Sequence, residues 1–260
     1  MYIMNILITN DDGVTSAGIF AVKKAVEEFG ETTIVAPVRQ QSGVGHGITL
    51  GRPLRVFPTV VDDGTVCYGI DGTPTDSVIM GVKEILDEKP DLIISGINIG
   101  ENISKAITTS GTLGATFEAA NLGIPAIAVS LQVTHETLKF SDGVDVVDFS
   151  PAVKILNKCV RKIVEQGMPE GVEILNLNVP ANPVSDEIFQ TRFSERMYTT
   201  EVEKRFDPYN HEYYWVFNES IYDDLEGTDI HTVRALNCPS ITPVCRDMDA
   251  GVDLSDWIGM

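Results

Sequence analysis

Asn5 to Thr9 reads NILIT, an apolar run that leads without a break into Asn10-Asp11-Asp12-Gly13. Five residues dominated by branched apolar side chains and closed by turn chemistry predict a strand buried on both faces. Behind the turn, Ile19, Val22, Val26 and Phe29 fall on one helical face in a stretch ending at Gly30. Thr32 to Ala36 (TTIVA) then reads as a second strand, stopped by Pro37. Strand, helix and strand in that order build a βαβ unit, so the fold class is α/β with a parallel sheet.

The pattern repeats downstream. Pro74 to Asp87 carries Val78, Val82, Ile85 and Leu86 at helical spacing, and Pro90 precedes a third strand, Asp91 to Ser95 (DLIIS). Thr112 to Leu122 is expected to be helical despite Gly114, ahead of a strand at Ile124 to Leu131 (IPAIAVSL). Ser150-Pro151 starts a helix striped by Val153, Leu156, Val160 and Ile163 up to Gly167, and Val172 to Val179 (VEILNLNV) gives another strand. Beyond Pro180 the texture changes. Arg196 to Val202 and Glu212 to Phe217 are rich in Thr, Tyr and Trp and flank Asp207-Pro208-Tyr209-Asn210, which predicts a projecting C-terminal β-hairpin. The expected division is therefore a core over residues 1–180 and a hairpin and oligomerisation segment over 181–260. Its aromatic residues, from Phe189 and Phe193 through Tyr198 and Phe206 to Tyr213, Tyr214, Trp215 and Phe217, exceed what a solvated arm exposes.

Composition narrows the function. With 38 acidic against 19 basic residues the net charge is −19, a field that repels nucleic acid duplexes and anionic membrane surfaces. A phosphate can bind such a chain only through local attraction from a metal, a helix N-terminus or main-chain N–H groups. Cys67, Cys159, Cys238 and Cys245 are scattered without metal-binding or redox spacing, so buried free thiols are expected. No signal segment or membrane-length apolar run occurs, and the expected setting is the cytoplasm.

Three polar clusters each follow a strand: Thr9 to Gly13, Arg39 to Gly43, and Ser95 to Asn98. In a parallel sheet these ends meet, and ligands bind there. Alone, Asp-Asp-Gly is most often a surface turn, Ser42-Gly43 a loop and Asn98 a helix cap. Their coincidence at strand ends instead points to a metal site of Asp11, Asp12, Ser42 and Asn98, an all-oxygen set suited to Mg²⁺, Mn²⁺ or Ca²⁺. A fourth cluster, Thr108 to Thr112, opens a helix and reads equally as a phosphate cradle or as ordinary capping. His46 is expected to be structural, with a proton donor as the other reading.

The strings ILITNDDG (6–13), SGVGH (42–46), DGTPTD (71–76), KPDLIISGIN (89–98), SGTLGA (110–115) and GIPAIAVSL (123–131) together resemble the SurE family of survival-protein nucleotidases. LNLNVP (175–180), DPYNHEYYW (207–215) and GTDIHTV (227–233) extend the likeness over nearly the whole chain. The resemblance implies a three-layer, Rossmann-like α/β/α core and hydrolysis of nucleoside 5′- and 3′-monophosphates, with activity on short polyphosphate in some members. It implies one divalent metal ion per subunit, Mg²⁺ or Mn²⁺, on Asp11, Asp12, Ser42 and Asn98, and catalysis centred on the two aspartates. Substrate contacts fall on Asn10, Asn98, Ser110, Gly111 and Thr112, and the assembly is a homodimer or homotetramer with exchanged C-terminal elements. The family's usual Pro-Asp-Arg-Asn reads Pro37, Val38, Arg39, Gln40 here, and its aromatic before Ser-Gly-Thr is Thr109, which bears on substrate preference.

The mechanism so implied is attack on phosphorus by a metal-activated water, with Asn98, Ser110 and Thr112 holding the phosphoryl oxygens. Direct attack by Asp11 or Asp12 stays open at this stage. The rival readings are a nucleotide-binding module without turnover and a metal-dependent hydrolase of another phosphate ester. Gly13 to Gly18 lacks the G-x-G-x-x-G spacing of a dinucleotide site.

Overall fold

Ile6, Leu7 and Ile8 are all fully buried, and they divide between two cores: Ile6 and Ile8 pack on one side of the sheet, Leu7 on the other. The strand that carries them therefore lies inside a three-layer protein, as NILIT demands. The computed structural model describes residues 3–61, 63–133, 147–196, 198–247, 249 and 252.

Among the described residues nine strands form the main sheet: β1 (Met4–Thr9), β2 (Gly30–Pro37), β3 (Val56–Val60), β4 (Val66–Ile70), β5 (Leu92–Ile99), β6 (Ala126–Leu131), β7 (Ile174–Val179), β8 (Phe189–Gln190) and, late in the chain, β11 (Ser240–Val244). Their order is β3-β4-β2-β1-β5-β6-β7-β11-β8. From β4 to β7 every pairing is parallel; β3 joins β4 and β11 joins β7 antiparallel, and β8 lies parallel to β11. Helices α1 (Ala17–Val26) and α4 (Ser150–Gln166) cover the Ile6 face, while α2 (Pro74–Met80) and α3 (Gly111–Asn121) cover the Leu7 face. Because β2 lies on one side of β1 and β5 on the other, the winding reverses at β1, and the crevice beyond its carboxyl end is the place for a ligand.

The sequence misses β3, β4, β8 and β11, and it overextends one helix. Residues 74–87 do not form one α-helix: α2 stops at Met80 and the chain widens into a π turn over Gly81–Ile85. Gly81 sits where a Cβ would lie 2.9 Å from Leu7 Cδ1, so this turn presses on β1 more closely than a side chain allows. All four cysteines are free, but Cys245 is exposed rather than buried. No helix among the described residues is long and apolar enough to cross a membrane.

The hairpin is present as β9 (Tyr198–Phe206) and β10 (Glu212–Ser220), paired antiparallel. Asp207 shapes its turn, its Oδ1 accepting N–H bonds from Tyr209 and His211, each at 2.8 Å. The pairing puts Val202, Tyr214 and Val216 on one face and Tyr213 and Trp215 on the other, and all five are exposed. Phe189 and Phe193 do not belong to this arm. Phe189 lies in β8, and Phe193 packs against the cluster of Leu113 and Phe117. The side chains of Tyr198 and Phe217 lie outside the described residues.

Candidate metal and phosphate site

Asn10 builds the turn that ends β1. Fully buried, it accepts from the Gly13 N–H at 3.1 Å and donates to the Gly13 carbonyl at 3.2 Å and to Ser16 Oγ at 2.6 Å. Gly13 takes φ 111°, which only glycine adopts freely. The expected substrate contact Asn10 thus spends its amide on holding the acidic pair in place.

Asp11 is 4% exposed. Thr112 Oγ1 donates to its Oδ1 at 2.7 Å, and the N–H groups of Gly111 and Thr112 at the start of α3 also support the carboxylate. A Cβ at Gly111 would lie 2.8 Å from Asp11 Cβ, so glycine is what lets the helix close on this side chain. These donors favour the anion, yet burial outweighs them and holds the Asp11 carboxyl above its usual range. Asp12 is pushed up to about 7, first by burial and then by the charge of Asp11, against weaker support from the Ile99 N–H and Gln40. Its Oδ2 is buried and has no hydrogen-bond partner among the described residues.

Two adjacent carboxylates, both unfavourably buried and one with an orphaned oxygen, are the electrostatic complement of a cation. The neighbouring groups suit a hard one. Asn98 donates its amide to the Gly100 carbonyl at 2.6 Å, and no described residue donates to its Oδ1. A register slip between Ser95 and Asn98 against β6 re-aims the end of β5. Asp11, Ser42, Asn98 and Ser110 line a single cavity of about 170 Å³. Ser110 also caps α3, accepting the Leu113 N–H at 3.2 Å, so its own hydroxyl hydrogen is left to donate. A larger groove of about 710 Å³ lies against α4, Leu175 and Ile241 and contains none of the strand-end residues. His46 stands apart from the cavity. It is exposed, pairs with Glu118 at 3.0 Å and lies 6.3 Å from the Phe117 ring, clasping the Ser42 loop to α3.

Glu101 and Asn102 line the same cavity, and sequence reasoning passed over both. Asn102 is the centre of a buried amide network. Its side chain donates to Ser130 Oγ at 3.0 Å, its main-chain N–H to Asn178 Oδ1 at 2.8 Å, and its carbonyl accepts from Asn176 at 2.9 Å. The signal was present as two asparagines inside the apolar strand ILNLNV, where a polar side chain needs a buried partner.

The fold and the site together define an α/β protein whose acidic and hydroxyl residues gather at the switch point of its sheet, a candidate for cation and phosphate binding. The chain belongs to the SurE family: the family described as "Survival protein SurE" matches residues 6–200. It is 62% identical to the 5′-nucleotidase SurE of Methanosphaera stadtmanae over 98% of this chain and 100% of that protein. Identity is 48% to the same-named protein of Methanobrevibacter smithii, again over 98% and 100%. A crystal structure of SurE from Aquifex aeolicus superposes with a TM-score of 0.78 at 35% identity, covering 95% of each chain.

Proposed function

We propose that this chain is a metal-dependent nucleotidase that hydrolyses nucleoside 5′- and 3′-monophosphates to nucleoside and phosphate, with short polyphosphate as a further substrate. The observation that carries the metal is the unpartnered Asp12 Oδ2 beside a buried Asp11. The name 5′-nucleotidase borne by close relatives supports the substrate class.

Asp11, Asp12, Ser42 and Asn98 are the residues that would hold one Mg²⁺ or Mn²⁺ per subunit. A divalent ion bound there supplies Lewis-acid polarisation of a phosphoryl oxygen and lowers the pKa of a bound water. The rest of the work falls to the chain itself. Thr112 and the first N–H groups of α3 fix the Asp11 carboxylate, so its orientation needs no reorganisation during reaction. The Ser110 hydroxyl and the N-terminal end of α3 offer donors and a favourable dipole to phosphate oxygens, a local attraction that a chain of net charge −19 requires. Asn10 and Gly13 hold the turn rigid from behind. The proposed setting is the cytoplasm, where free thiols such as Cys67 and Cys159 persist.

Phosphate release from AMP and from p-nitrophenyl phosphate, measured before and after EDTA and after restoring Mg²⁺ or Mn²⁺, tests the proposal. Activity lost in EDTA and regained with either ion is expected. Undiminished turnover in EDTA removes the metal, and binding of AMP without turnover makes the protein a nucleotide-binding module.

A further inference from the structure

We propose that Glu101 determines specificity for the sugar: one of its carboxylate oxygens accepts a hydroxyl hydrogen from the ribose of a bound nucleotide, and Arg234 positions it to do so. The inference rests on the nucleotidase reading above and names what a further lining residue of that cavity recognises.

Glu101 follows Asn98 by three residues on the loop leaving β5, and its side chain is only 7% exposed. Arg234 approaches from 133 residues away, placing Nε at 2.8 Å and Nη2 at 2.6 Å, both on Oε1. Its third nitrogen, Nη1, donates to the Ile221 carbonyl, and Tyr222 lies under the guanidinium at 5.9 Å. Arg234 is 11% exposed with each nitrogen engaged, so it acts as a fixed support and not as a free phosphate hook. Oε2 of Glu101 receives no bond from any described residue, although a carboxylate offers acceptor sites on both oxygens.

Chemistry then selects the ligand group. An ionised carboxylate only accepts, so it repels phosphate oxygens and calls for an O–H or N–H. Pairing with Arg234 cancels the net charge that an incoming phosphate would meet. The cavity, about 170 Å³, falls below the roughly 300–1,000 Å³ of sites that enclose a drug-sized ligand, so it takes phosphate and sugar and leaves the base outside. With phosphate held beside Asp11 and Ser110, the hydroxyl-bearing group next along a nucleotide is the ribose.

The test compares kcat/KM for a ribonucleoside 5′-monophosphate with its 2′-deoxy and 3′-deoxy analogues, in the wild-type protein and in Glu101→Gln. Loss of a hydrogen bond to a charged acceptor is expected to cost the wild type about tenfold or more with one of the deoxy sugars. In Glu101→Gln, whose amide oxygen goes to Arg234, that ratio should shrink to about threefold or less. Glutamine keeps the volume and a partner for Arg234, and the substrate comparison in the wild type does not depend on the variant folding. If no nucleotide is turned over, the same ratio is read from equilibrium binding by calorimetry, which separates failure of the nucleotidase reading from failure of this one. The proposal is overturned if the wild type treats ribose and both deoxyriboses within about twofold, or if Glu101→Gln retains the full discrimination.

Discussion

Asp12→Asn keeps the volume at the end of β1 and removes one of two charges buried side by side, so it separates what that charge does for catalysis from what it costs the fold. In the metal-free protein the Asp12 carboxyl moves from an ordinary 3.8 to about 7 through burial and the neighbouring Asp11. The folded chain therefore holds this proton more tightly than the unfolded chain does. Stability from this group is intact below about pH 4, is lost as pH rises through the folded value, and stays lost above about pH 7. At about 1.4 kcal/mol per pH decade the ceiling is about 4 kcal/mol, and the high effective dielectric of real proteins reduces it to about 2 kcal/mol. For a chain of this size that is about 5 °C in melting temperature. Scanning calorimetry in EDTA should show Asp12→Asn melting higher than wild type near pH 8, with the gap closing toward about pH 4. Adding Mg²⁺ should reverse the order, since the variant binds the ion poorly, and phosphate release should fall to a few per cent of wild type or less. A variant no more stable than wild type in EDTA above neutral pH, or one that Mg²⁺ stabilises equally, would refute the reasoning.

Thr112→Val removes the 2.7 Å bond to Asp11 at nearly constant volume and should cost about 2 kcal/mol in urea unfolding, with about a tenfold fall in kcat/KM; a change under about 0.5 kcal/mol contradicts it. At Gly114 a Cβ would meet the Gly45 carbonyl oxygen at 2.2 Å, so Gly114→Ala should push the Ser42–His46 loop off α3 and weaken Mg²⁺ affinity measured by calorimetry; unchanged affinity and melting temperature count against this. Ser42→Ala and Asn98→Ala should weaken Mg²⁺ binding less than loss of either carboxylate, because neutral oxygens contribute less Coulomb energy, and the reverse ranking in titrations would dismiss the proposed ligand set. Replacing residues 198–220 with a short linker should reduce the proposed dimer or tetramer, since the arm exposes Trp215 at 58% and Val216 at 66%. An unchanged mass by light scattering, or a monomeric parent, would show that assembly does not use it.

Which parts of this architecture could be read from the chain follows from how each residue satisfies its surroundings. The central strands were legible because strands covered on both faces are built on continuous apolar runs, as at the centres of NILIT, DLIIS and IPAIAV. The strands at and next to the margins of the sheet escaped because nothing forces that pattern on them. β3 carries Pro58 and β11 carries Pro243, residues that sequence reasoning counts against a strand and that a sheet accepts near its margins. β8 has two residues, and only its register with Ser240 and Ile241 makes it a strand at all. The helix predicted over 74–87 failed for another reason: its apolar spacing is real, but Gly81 lies so close to Leu7 that the backbone leaves α geometry to pass it.

The candidate site divides in the same way. Asp11 and Asp12 follow β1, Ser42 follows β2 and Asn98 lies at the end of β5, and a parallel sheet that sets these three strands side by side brings such ends together without any further information. Glu101 and Arg234 carry no comparable mark, because an isolated Glu in a loop and an isolated Arg 133 residues later look like two solvated charges until the fold buries both. Burial changes their meaning. A surface pair of this kind contributes little, whereas a nearly buried one leaves any unused acceptor to a neighbour, and here Glu101 lines the same cavity as Asp11 and Ser110. The strand ends thus set where the proposed metal site lies, while the late-arriving Arg234 fixes the Glu101 carboxylate proposed to meet the sugar, so the two proposals rest on contacts of very different sequence range.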